Sequence, residues 1–91
     1  MDPGARQEFS DFAHSRWPQL ARLAYGLTGD RGLAEDLAQT ALASAYASWP
    51  RLRRADDPDA YLRKIVINAN RSRFRKHRVA EQLTAEPSAV T

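Results

Sequence analysis

If the stretch from Asp57 to Arg78 is helical, Lys64, Asn68, Arg71, Arg75 and Arg78 share one side of it, because they recur at intervals of four, three, four and three. At about 100° per residue such intervals keep side chains within one sector of the helix. Four permanent or near-permanent cations can hold phosphate oxygens. A single amide among them can contact a phosphate or the edge of a base. The shape suits lying along a phosphate backbone while one side chain reaches a base. The plainer alternative is a solvated, arginine-rich helix end.

No constellation for covalent chemistry accompanies this ribbon. His14 and His77 are the only histidines, one at the edge of an apolar stripe and the other inside the arginine cluster. Asp56, Asp57 and Asp59 could suggest a metal site, but Asp57 and Asp59 already suit helix capping and the helix dipole, and no His or Cys joins them. Cysteine is absent, which excludes disulfides and thiolate metal sites. There is no glycine-rich phosphate loop and no nucleophile motif. The expectation is a protein that is not an enzyme and needs no cofactor.

Charge is segregated along the chain. Residues 1–50 carry a net charge of −2, residues 51–78 carry +7, and residues 79–91 carry −2. Such a division suggests two partners, a polyanion for the C-terminal half and something else for the N-terminal half. Ninety-one residues allow one domain with a small core. No apolar run approaches the roughly 20 residues of a membrane span, and no signal peptide opens the chain, so the expected location is cytoplasmic.

The elements that must position these residues follow from periodicity. Residues 1–4 are expected to fray. Phe9, Phe12, Ala13, Trp17, Leu20, Leu23, Ala24 and Leu27 then recur at helical spacing. Pro18 marks either a kink or a junction of two helices. The stripe keeps its phase across it, which favours a kinked, near-continuous helix. Gly29 and Asp30 supply a left-handed stop and the next N-cap. A second helix over about 31–48 turns Ala34, Leu37, Ala38, Ala41, Ala45 and Trp49 to one face, with Leu42 at its margin. Its opposite face carries Glu35, Asp36, Gln39 and Tyr46. Pro50 stops it, and residues 50–57 read as a basic loop.

Asp57 as N-cap and Pro58 in the first turn open the last helix, whose core stripe is Tyr61, Leu62, Ile65, Val66 and Ala69. Arg73 and Lys76 fall where core residues would otherwise lie, so this helix is expected to leave the core near its end. Ile67 and Phe74 lie away from the stripe, beside Arg63 and Asn70. They are either covered by a returning tail or part of a binding surface. The expected architecture is all-α, three main helices over residues 5–78, with 79–91 a frayed end or linker.

Four pieces in fixed order now stand out: Leu27-Thr28-Gly29-Asp30, then Ala34-Glu35-Asp36-Leu37-Ala38-Gln39, then Trp49 with its basic loop, then Ala60-Tyr61-Leu62-Arg63-Lys64-Ile65-Val66-Ile67-Asn68. Over about residues 8–78 the chain resembles region 2 of a bacterial RNA polymerase sigma factor of the extracytoplasmic-function, or group 4, type. The resemblance implies docking on the β′ clamp helices of the polymerase core through Glu35, Asp36, Gln39 and Tyr46. It implies contact with the non-template single strand of the promoter −10 element through Leu52, Arg53 and Arg54 of the loop. Lys64, Asn68, Arg71, Arg75 and Arg78 of the last helix would join them. The chain departs from the family pattern at Thr40, often Glu, at Leu52, where some relatives have an aromatic, and at Ser72, usually Asp.

The same family continues through a linker into a domain that reads the −35 element, so this chain is expected to be an excised domain or a short relative. The rival reading is a protein-interaction module whose basic helix binds an acidic partner such as an anti-sigma factor. General nucleic-acid binding without polymerase leaves the acid–amide face unexplained.

Overall fold

The computed structural model describes residues 2–90, with side chains for all of these except His77 and residues 83–90. Four helices follow one another: α1 (Pro3–Thr28), α2 (Arg31–Ala47), α3 (Trp49–Leu52) and α4 (Pro58–Val90). Three are long and α3 is a single turn, so the all-α fold of three main helices is the one observed.

The first helix begins earlier than its apolar stripe. Asp2 caps it, its side chain accepting the Ala5 N–H at 2.7 Å, with Pro3 in the first turn. The expected fraying of residues 2–4 is therefore not found; Met1 lies outside the described residues. Pro18 sits inside one continuous helix, as the unbroken phase of the stripe requires. Gly29 ends it in the left-handed region (φ 67°), donating its N–H to the Tyr25 carbonyl at 2.7 Å. Asp30 immediately caps α2 by accepting the Leu33 N–H at 2.9 Å. This two-residue connection folds α2 back antiparallel to α1.

All six core positions expected in and just after α2 are buried: Ala34, Leu37, Ala38, Ala41, Ala45 and Trp49. The alanines let α1 and α4 approach closely on either side. Leu20 and Ala24 of α1 and Leu62 and Val66 of α4 complete the core. Phe9 and Phe12 close one end against Trp49, with ring centroids 5.4 Å apart in each pair. Trp17 and Leu27, expected in the core, are more than a third exposed, because α1 is covered along only part of its apolar stripe.

The segment after Pro50 is not all loop. Pro50 occupies the first turn of α3, and that turn brings Trp49 and Leu52, three apart, onto one inward face. Both are buried, Leu52 completely. Asp57 then accepts the Ala60 N–H at 3.1 Å and starts α4. An ion pair from Arg16 to Asp59, with the Arg16 guanidinium 4.8 Å from the Phe12 ring centre, ties α4 to α1.

Helix α4 does not end near Arg78 but continues to Val90. It leaves the body between Arg73, still half-buried, and Phe74. From Phe74 to Gln82 every described side chain is exposed.

Candidate nucleic-acid and protein interfaces

The ribbon on α4 follows from the way the helix is anchored. Leu62 and Val66 are buried, and that fixes the rotation of the helix about its axis. Lys64, Asn68, Arg71, Arg75 and Arg78 lie on the opposite sector, and all five are exposed. Among the described residues none of the four cations makes an ion pair, the two pairs present being Arg16–Asp59 and Arg53–Glu8. No acidic residue occurs between Ala60 and Ala80. The ribbon therefore presents an uncompensated positive field, the arrangement that attracts and orients a polyanion. Arg71, Arg75 and Arg78 also surround Phe74 in a shallow depression with Asn70. Phe74 is 56% exposed, and since α4 continues as helix, the chain does not turn back there to cover it. Ile67 is half-buried.

The three residues expected from the loop divide. Leu52 is not a surface residue: with its side chain 0% exposed in the core, it cannot touch a base without unfolding α3. Its assignment to a nucleic-acid contact is corrected on that ground. Arg53 is exposed and lies 3.4 Å from Glu8 of α1, in a pair open enough to solvent to be broken at little cost. Arg54 is exposed, its Nε–H donating to the Pro50 carbonyl at 2.9 Å. These two arginines flank the α3–α4 junction.

The acid–amide face of α2 is placed as its phase predicts. Glu35, Asp36 and Gln39 are exposed on the side away from the buried alanines. Tyr46 is 39% exposed, but its ring packs edge-on against Phe9 with centroids 5.2 Å apart, so it serves both the surface and the core end. Glu35 borders a groove between α1 and α2 with Trp17, Tyr25 and Arg31.

Periodicity alone did not reveal a cleft between α2 and α4 in which Thr40 and Ser44 face Asn68, Ser72, Arg73 and Lys76. The available signal was Arg73 itself, a cation at a core phase four residues after Ala69. Among the described residues no group of three His, Cys, Asp or Glu side chains is arranged to hold a metal, and no helix is long and apolar enough to cross a membrane. His14 is exposed, with Nδ1 2.9 Å from the Ser10 carbonyl.

Fold and surface together define a class: a small helical module with a cationic, amide-bearing helix face and a separate acid–amide face. Comparison with known proteins makes this specific. Residues 12–79 match the family described as Sigma-70 region 2, and the chain belongs to that family. It is 35% identical over 86 residues to a protein named RNA polymerase sigma-E factor from Streptomyces antibioticus, covering 94% of this chain and 48% of that one. A protein of the same name from Streptomyces coelicolor is 35% identical over 79 residues, covering 87% of this chain and 45% of the relative. The Streptomyces avermitilis protein of that name is 34% identical over 86 residues, covering 94% and 48%. The chain thus spans about half the length of the curated relatives it matches. No solved structure matches.

Proposed function

We propose that this chain acts in transcription initiation as the part of a sigma factor that docks on the β′ clamp helices of RNA polymerase and recognises and melts the promoter −10 element. The observation that carries the reading is the outward ribbon of Lys64, Asn68, Arg71, Arg75 and Arg78, exposed and unpaired on a helix locked by its opposite side. Asn68 is the one group on the ribbon able both to donate to and to accept from a base edge. The cations hold phosphates of the non-template strand, with Arg53 and Arg54 contributing at the α3–α4 junction. Membership of the family and the names of the relatives support a role with polymerase. Asp36 and Gln39, with Glu35 and Tyr46 beside them, offer acceptors and an amide to basic side chains of the polymerase. The mechanism is binding energy spent on holding opened DNA, without covalent chemistry, and the place of action is the cytoplasm.

Titration of a labelled single-stranded −10 oligonucleotide at several salt concentrations tests this. The four ribbon cations alone contribute about −2.8 to the slope of log affinity on log salt, at roughly −0.7 per phosphate for single strands, and each further phosphate contact steepens it. A flat slope, or equal affinity for scrambled strands, would instead favour the rival in which the basic helix binds an acidic protein such as an anti-sigma factor.

A further inference from the structure

The cleft between α2 and α4 has a volume of about 450 Å³, and its polar lining is Thr40 and Ser44 from one helix and Asn68, Ser72, Arg73 and Lys76 from the other. Two cations, three hydroxyls and one amide converge there, and no carboxylate is among the lining residues. Arg73 is the inner wall. One of its terminal nitrogens donates to the Asn70 side-chain oxygen at 3.2 Å, while its Nε is shielded from solvent and has no hydrogen-bond partner. Arg73 and Lys76 thus line the cleft as cations with no carboxylate beside them, and a phosphate oxygen is the acceptor that suits such donors best. Ser72 and Lys76 follow Asn68 at successive intervals of four, so they form one row running from the ribbon's amide into the cleft.

We propose that this cleft is a phosphate-binding site, centred on Arg73 and Lys76. If the reading above holds, its occupant is a backbone phosphate of the same strand whose base Asn68 contacts. The strand then crosses from the ribbon over Asn68 and sets one further phosphate between the two helices. This contact is additional to those of Lys64, Arg71, Arg75 and Arg78.

Two substitutions at exposed positions test it without disturbing the core. Thr40→Glu places a carboxylate in the cleft within a helix that favours glutamate over threonine, and Lys76→Gln removes one cation. Losing the cleft phosphate should make the slope shallower than that of the wild type by about 0.7 in either variant, with the preference for the −10 strand over a scrambled one retained. In parallel, the Arg73 Nε–H resonance is followed by NMR during titration with the oligonucleotide and, separately, with inorganic pyrophosphate. A shift with the oligonucleotide alone assigns the site to the DNA backbone; a shift with pyrophosphate as well assigns it to phosphates at large, and both support the site. No shift with either ligand, or slopes identical in all three proteins, overturns it. If wild-type protein fails to bind DNA while pyrophosphate moves the resonance, the promoter reading fails and the cleft stands.

Discussion

Replacing Leu52 by alanine separates a core residue from a base-contacting one. The side chain is fully enclosed beside Trp49, at the point where α3 seats against α2 and α4. Truncating a buried leucine costs about 2–5 kcal/mol, the range reflecting how far the surroundings collapse into the space. A domain of this size holds roughly 5–15 kcal/mol in total, so a large share of the stability is at stake. With about 4–8 °C of melting temperature per kcal/mol, the expected drop is roughly 8–40 °C. Thermal melting followed by circular dichroism at 222 nm reads it directly. Leu52→Met, which keeps the volume, should stay within about 1.5 kcal/mol of wild type. An L52A protein that melts within about 3 °C of wild type yet loses affinity for a single strand would refute the reasoning and return Leu52 to the surface.

Three further outcomes follow from the same geometry. The double substitution Asp36→Ala with Gln39→Ala touches exposed side chains only, so co-purification with polymerase core should be lost while the melting temperature holds within a few degrees; unfolding would show that this face is structural. Gly29→Ala forces a side chain into the left-handed backbone at φ 67° and should lower stability by about 1–2 kcal/mol in a urea titration, with Gly29→Asn costing less; an unchanged midpoint contradicts the cap. Phe74→Ala should leave thermal stability nearly untouched, since the ring is 56% exposed, but should weaken single-strand binding by about 1–3 kcal/mol if a base stacks on it, measured by fluorescence anisotropy; equal affinity removes Phe74 from the interface.

The sequence was most legible where one pattern ran uninterrupted. The alanine-rich stripe from Ala34 to Trp49 is buried throughout, and the ribbon from Lys64 to Arg78 is outward throughout, because each lies on a long helix whose phase is fixed by several apolar residues. Leu52 misled because one apolar residue among three arginines looks like loop, and a single turn is too short to show a period. Its spacing of three from Trp49 was the only cue. The start of α1 was carried by Asp2 and Pro3, a cap and a first-turn proline that lie ahead of the apolar stripe beginning at Phe9. Trp17 and Leu27 share the phase of buried neighbours yet stay partly exposed, since periodicity gives the direction of a side chain but not whether another helix covers it. The α2–α4 cleft is of the same kind: it exists only once two helices are placed side by side.

The most direct test of the account is an unbiased selection of single-stranded DNA by this chain, run in parallel with Asn68→Ala at one fixed salt concentration. The account predicts a short enriched motif with wild-type protein and loss of preference at one base position with the variant, while overall affinity for random strands changes little. No enriched motif, or the same motif at full strength after Asn68→Ala, would contradict it.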